Sequence, residues 1–412
     1  IAAGVLEFRD DVYVTVAPDL WKLRDHDADG RADSRESIAH GFGLHIAYGG
    51  HDMHGPTVGP DGKIYWSIGD KGINVTTATG QQFAYPNQGG VMRCNPDGSD
   101  FEVFAHGLRN VQEVAFDDFG NMFGVDNDSD QPRERERFVY IVDGMDAGWR
   151  NNYQYRGNSY NPWTDERLWE LPEPATGENH PAYIIPPIQH YIDGPAGFKF
   201  NPGTALAPEY KDFFFVTGAP NGNQHAFRVE RDGDSFRMVD EHQIGSGLAI
   251  VGLAFGPDGG LYGADWDGGY PLDEKGSVVR IDVADAQDTA IRREVRELIA
   301  AGFNHRDTTE LVGLLGHADQ RIRQGAQFAL VDADAGDVLA GVVVDKSAGT
   351  LKRLHALWGL GQLARRGDSL GRDMVGLMLK DSDEQVRAQA AKTFGELNGV
   401  NPEALIDLLD DD

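Results

Sequence analysis

The stretch DHDADGRADSRE, residues 25–36, sets hard oxygen donors at fixed spacing. It follows the Asp-x-Asp-x-Asp-Gly-x5-Glu pattern of a calcium loop. Asp25, Asp27 and Asp29 take positions one, three and five, Gly30 makes the tight turn, Arg31 offers its carbonyl, Asp33 stands at nine and Glu36 at twelve. Carboxylates crowded this closely repel one another unless a divalent cation lies among them, and oxygen donors favour calcium. The plain alternative is a solvated acidic turn. The preceding LWKLR reads as a strand, which makes this a structural loop within a sheet and not a calmodulin-type switch. In VDNDSDQPRERER, Asp126, Asp128 and Asp130 alternate without the glycine or the distal glutamate, so a second metal site and a bare acidic loop both stay open.

Two further groups could move protons or hold an anion. HDMHGPTVGPDG puts His51 and His54 just ahead of an apolar strand. An imidazole there can take a proton near neutral pH, bind a metal with its neighbour, or hydrogen-bond its own loop. GLRNVQEVAF puts Arg109 and Asn110 at the equivalent start of the next such strand. Arg109 offers a planar fork to a ligand carboxylate, or a salt bridge between adjacent sheets.

The elements that must position these groups repeat. GPDGKIYWSIGD (59–70), DDFGNMFGVDND (117–128) and GPDGGLYGADWD (256–267) are each a turn followed by an aromatic-rich strand with an acidic end, and each follows another apolar strand. Weaker copies at 6–19 and 197–220 make five, and third strands follow them. Sheets recurring at this spacing predict propeller blades. Because the first copy begins almost at residue 1, we expect a six-bladed-type β-propeller, incomplete at the N-terminus or completed by other segments; a β-sandwich is the alternative. From about residue 286 the period becomes helical. TTELVGLLGHADQRIRQGAQFAL and RDMVGLMLKDSDEQVRAQAAKTFGEL each read as helix, acidic turn, helix, the pattern of HEAT repeats stacked into an α-solenoid. The expected organisation is β then α, with a propeller over 1–285 and HEAT-like repeats over 286–412.

Bulk properties exclude several classes. With 66 acidic against 37 basic residues, the formal charge of −29 repels nucleic acid and anionic lipid surfaces. No apolar run reaches the roughly 20 residues of a membrane helix. One cysteine, Cys94, excludes an internal disulfide and a Cys-x-x-Cys-His haem attachment. The opening IAAGVLEF has neither Met nor a leader pattern and reads as a processed or trimmed start.

The segments HDMHGPTVGPDGKIYWSIGDKG, RNVQEVAFDDFGNMFGVDNDSD and DAGWR resemble, in order and spacing, the soluble quinoprotein glucose and sorbosone dehydrogenases. Those are six-bladed propellers that use pyrroloquinoline quinone and calcium. With the calcium loop and HEAT repeats added, the chain resembles still more the exported membrane-bound-dehydrogenase-type proteins of planctomycetes and verrucomicrobia, which often continue into a cytochrome c domain. The resemblance spans residues 1 to about 400 and is most specific over 51–72 and 106–150.

It implies that His51 is the base for a sugar hydroxyl, that Asp70 contacts substrate, and that Arg109 and Asn110, with Asn127 and Arg228, hold the quinone. Main-chain oxygens around Asp128 and Ser129 would bind the cofactor's calcium. The implied reaction is hydride transfer from a sugar or sugar aldehyde to the quinone. It further implies a periplasmic or secreted protein with a c-type cytochrome as electron acceptor and a protein partner on the HEAT repeats. Two other readings stay open: a non-catalytic, calcium-stabilised carbohydrate-binding propeller with a docking solenoid, and a metal-dependent hydrolase built on His51, His54 and the 126–130 carboxylates.

Overall fold

Alternating apolar strands closed by Asp-Gly turns form five antiparallel sheets, the blades of a β-propeller. The computed structural model describes residues 2–43, 50–127, 136–150, 184–219, 221–267, 275–409 and 411. Blade one runs through Gly4–Phe8, Asp11–Val16, Asp19–Arg24 and Ser34–His40. Blade two uses Met53–Val58, Ile64–Ile68, Gly89–Cys94 and Glu102–Leu108, and gains a short parallel strand, Met145–Asp146, on its outer edge. Blade three runs from Val111–Phe116 to Gln189–His190, blade four from Pro195–Phe200 to Ser235–Ser246, and blade five from Ile250–Phe255 to Ser277–Ile281. The described residues form five blades, the five read in the sequence; a sixth, expected to be absent or completed by other segments, is not among them.

Blades one to five bury an apolar cluster between each blade and the next along the chain. Tyr13, Leu20, Phe42 and Trp66 lie between blades one and two. Phe123, Phe138, Phe198, Phe214 and Phe227 fill the space between three and four, with Phe198 and Phe214 stacked at 5.3 Å. Each such ring buried contributes about 1.5–3 kcal/mol.

The innermost strands of blades two to five each carry a bulge near their start. The extra residue turns a side chain toward the axis. In blade three that bulge carries Glu113, whose Oε2 accepts from the backbone N–H groups of Phe198 (2.7 Å) and Leu253 (3.4 Å). Lys199 stands 3.6 Å from its other oxygen. One carboxylate thereby ties three inner strands, and its burial pushes its pKa above the usual value despite Lys199 and those donors.

Eight helices follow among the described residues, from Ala290–Ala301 to Glu403–Ile406. Asp319 and Asp383 cap the helices Gln320–Asp332 and Glu384–Gly395 by accepting from backbone N–H groups of the first turn. The helices dock on the hairpin-turn end of the propeller, through the repeated turns themselves. Gln327 and Gln362 donate to the Pro60 carbonyl, Gln320 to that of Asp117, Arg321 to that of Gly256 and Arg292 to that of Asp258. Phe8 of blade one meets Phe328 edge-on at 5.3 Å.

The turn glycines are required twice over. Gly62, Gly120 and Gly259 have φ of +77°, +78° and +77°. A Cβ on each would press on Gln362, Trp358 and Arg292 respectively. The motif that closes each hairpin is therefore also the surface on which the helical region rests.

Candidate functional site

The end of the propeller away from the helices holds the groups singled out in the sequence. In blade two, Met53 pairs with Ile68, so the residues just beyond the paired ends face one another. His51 precedes the first strand and Asp70 follows the second, and Nδ1 of His51 lies 2.7 Å from Oδ1 of Asp70. Gly69 permits this: a Cβ there would stand 2.9 Å from His51 Cα and 2.7 Å from Asn110 Oδ1. Asp70 is almost fully buried, while the His51 side chain keeps 20% of its surface exposed. Among the described residues no hydrogen bond reaches His51 Nε2. Burial opposes ionisation of Asp70. The bond to His51, the charges of His51 and Arg109, and the bond from Trp149 outweigh it and hold the carboxyl below the usual value.

Trp149 donates its indole N–H to Asp70 Oδ2 at 3.1 Å, and the Arg109 guanidinium lies over the same ring, 5.5 Å from its centroid. Arg109 also donates to the side-chain and main-chain oxygens of Asn127. A second carboxylate organises this side. Asp126 is fully buried, and its Oδ1 accepts from the backbone N–H groups of Arg109 (2.9 Å) and Asn110 (2.8 Å). Its Oδ2 accepts from Arg137 at 2.6 Å, and Arg137 also donates to the Ala147 carbonyl at 2.8 Å. His51, Asp70, Trp149, Arg109, Asn110 and Asn127 thus form one connected group.

Two buried atoms in this group have no hydrogen-bond partner among the described residues, Nε of Arg109 and Oδ1 of Asn110. Unpaired buried polar atoms are costly, so these two mark unsatisfied groups in the interior of the site. His54 is buried with Nε2 2.9 Å from the Gly50 carbonyl, and burial pushes its pKa down to about 4.

Other expected site residues fall elsewhere. Asp126, expected among the ligands of a second cation, has both oxygens taken by backbone N–H groups and a guanidinium, a buried charge already compensated. Asp128, Ser129 and Asp130 lie outside the described residues. Arg228, expected on the quinone, sits on the third strand of blade four, where it pairs with Asp240 and covers the Phe213 ring. It is not brought to the Arg109 group.

In the acidic loop of blade one, Asp25, Asp27 and Asp29 offer oxygens within 4.8 Å of one another, and Oδ1 of Asp25 is buried without a hydrogen-bond partner among the described residues. Asp33 accepts instead from the His26 N–H at 2.7 Å. Glu36 lies in a strand opposite Lys22, and neither it nor Asp33 belongs to that cluster; Arg31 donates its own N–H to Asp29.

Sequence reasoning misses two contributors, Trp149 and Arg137. Both lie in stretches that attract notice, DAGWR and RERER, but nothing in either points to Asp70, which lies 79 residues from Trp149, or to Asp126.

A family model described as "Domain of unknown function (DUF7133)" matches residues 1–270. No curated protein matches the chain. Among solved structures, an oxidoreductase of Thermus thermophilus described as a glucose dehydrogenase is similar, at 19% identity over 66% of this chain and 78% of that one, with a TM-score of 0.44. The PQQ-bound aldose sugar dehydrogenase of Streptomyces coelicolor is similar at 14% identity over 68% and 93%, with a TM-score of 0.38. A gluconolactonase of Xanthomonas campestris is similar at 12% identity over 68% and 72%, with a TM-score of 0.37.

Proposed function

Because this chain belongs to the family described as a domain of unknown function, DUF7133, and membership brings no activity with it, we propose a function from the site itself: oxidation of a sugar or sugar aldehyde, with His51 as general base. The observation that carries this reading is the His51–Asp70 pair beside Arg109. With Asp70 on Nδ1, the imidazole presents Nε2 as the acceptor for a hydroxyl proton, and the carboxylate stabilises the imidazolium that results. Arg109 Nε and Asn110 Oδ1 are buried next to that pair without a hydrogen-bond partner among the described residues. The hydride leaving the same carbon requires an acceptor other than a side chain.

Pyrroloquinoline quinone is the acceptor that the resemblance implies, and it would supply two-electron chemistry. Its three carboxylates require several cations, and the described residues around His51 bring Arg109 while Arg228 is committed to Asp240. Among the described residues its charge is met only in part, so the two-electron acceptor is proposed from the resemblance, and the chemistry assigned to this chain's own residues is the proton transfer. The same observation favours a second reading, a non-catalytic propeller that binds carbohydrate.

Calcium belongs to the proposal as a structural ion in the 25–36 loop. The unpaired Asp25 Oδ1 and the neighbouring Asp27 and Asp29 fit a hard cation. The ring is read as a six-bladed type, and the capped helix pairs as HEAT-type repeats that offer their outer side to a protein partner. A c-type cytochrome acceptor and a periplasmic or secreted location complete the reading. Among the described residues no helix is long and apolar enough to cross a membrane.

The test is reconstitution with pyrroloquinoline quinone and calcium, followed by dye reduction with a panel of aldoses. Turnover that His51→Ala abolishes supports the dehydrogenase-type site. Sugar binding without a cofactor spectrum or dye reduction leaves the binding module.

A further inference from the structure

We infer that the cavity between the inner strands and the helices is a second binding site, one for a neutral sugar ring, in which Glu113 and Lys199 share a hydroxyl of the ligand. It lies at the end of the propeller opposite His51, and it goes beyond the function proposed for that residue.

The cavity has a volume of about 830 Å³, within the range of small-molecule sites. Its walls follow from how the inner strands end. Those of blades one, three, four and five finish on Phe8, Phe116, Phe200 and Phe255, and all four residues line it. Phe303 and Phe328 close it from the helical side. Val5 of blade one, 65% exposed, and the exposed Ala254 of blade five also line it, which puts the mouth between those two blades.

Aromatic walls alone would take any apolar body, and the polar groups narrow the choice. Glu113 and Lys199 lie on neighbouring inner strands and keep 11% and 22% of their side-chain surface exposed. Gly55 makes room for the glutamate stem, since a Cβ there would stand 2.7 Å from Glu113 Cγ. The 3.6 Å between Lys199 Nζ and Glu113 Oε1 is longer than a good hydrogen bond, and Glu113 is the one partner of that ammonium among the described residues. A ligand carboxylate would be repelled by Glu113, and a ligand ammonium by Lys199. A hydroxyl accepts from Nζ and donates to Oε1 at once. Gln324, on the helix Gln320–Asp332, lines the cavity with a side-chain amide that makes no hydrogen bond among the described residues. A sugar ring carries no charge and combines C–H faces for the aromatic walls with several hydroxyls for these groups.

The test uses methyl β-glucoside as the probe, with the matching uronate and amino sugar as charged counterparts, and reads NMR titration together with hydrogen exchange in Gln320–Asp332. The neutral probe should bind saturably and protect that helix, and the charged two should bind about tenfold more weakly or worse. Lys199→Met should weaken the neutral probe about tenfold and Gln324→Leu about threefold to tenfold, one hydrogen bond being lost in each. His51→Ala should leave the protection as it is, which separates the cavity from the site at the other end. If Lys199→Met does not fold, Gln324→Leu, whose side chain gives up no partner in the protein, decides alone. The inference is overturned by a helix left unprotected at the highest soluble concentration of the probe, by protection that the folded variants of Lys199 and Gln324 leave unchanged, or by equal binding of all three sugars. Because the readout is binding beside the helices, the inference can fail while His51 still acts as a base, and can stand where it does not.

Discussion

Nδ1 of His51 and Oδ1 of Asp70 stand 2.7 Å apart across the open ends of two paired strands. A base held by a buried carboxylate in this way should depend on that partner. Asp70→Asn, under conditions in which the parent turns over an aldose, is expected to lower turnover about 100-fold or more while ligand binding changes little. Asp70 has a depressed pKa, so its contribution to stability is complete above the ordinary carboxylate value and is lost as pH falls through the folded one. The stability gap between parent and Asp70→Asn should therefore close in acid. Equal turnover in steady-state assays would remove Asp70 from the site.

Calcium should stabilise the 25–36 loop of blade one. At a concentration 100-fold above its dissociation constant, a single-site ion adds about 2.7 kcal/mol. Calorimetry with calcium and then with chelator should show a reversible rise in Tm, and Asp25→Asn should abolish it. A melting curve indifferent to calcium in the parent chain would leave the loop an acidic turn.

The hairpin turns should prove to be the mounting of the helices. Gly120→Ala places a Cβ on a left-handed residue and against Trp358, whereas Gly80→Ala meets the same backbone strain, at φ +85°, with open space around it. Strain alone costs about 1–2 kcal/mol, so both variants lose stability. Only Gly120→Ala should speed hydrogen exchange in Gln320–Asp332 and Glu384–Gly395. Equal exchange in the two variants would break the link between turn and helices.

Asp117 should make the interface sensitive to pH. Burial pushes its carboxyl up to about 6, although Asn121 and the Phe119 N–H bond to it. A carboxyl with a raised folded pKa binds more protons folded than unfolded, so its share of stability falls as pH rises from about 4 to about 6 and is level above that. Asp117→Asn should remove that decline, a gain of about 1–3 kcal/mol at pH 7 relative to pH 4. Parallel stability-against-pH curves for parent and variant would show that Asp117 does not carry it.

Much of the scaffold is legible because it is written locally. The hairpins follow from Asp-Gly turns whose glycines take φ near +77°, and the helix starts follow from Asp319 and Asp383 bonding residues two or three ahead. His51 and Asp70 both stand out in the sequence, although Asp70 is expected there on substrate and instead stands behind the imidazole. Asp126 misleads for an instructive reason. Its sequence neighbours are acidic and suggest a cation site, but its partners are Arg137 and two backbone N–H groups from the next loop.

The sequence by itself determined the order of strands and helices, the acidic loop and the shortlist of chemical groups, because turns, caps and periodicity depend on residues within a few positions of one another. Tertiary structure alone decided which buried charges meet, that the repeated turns face the helices, and that Trp149 reaches Asp70. Those outcomes depend on which strand ends the blades bring together, and on each buried polar atom taking the partner that lies within reach of it.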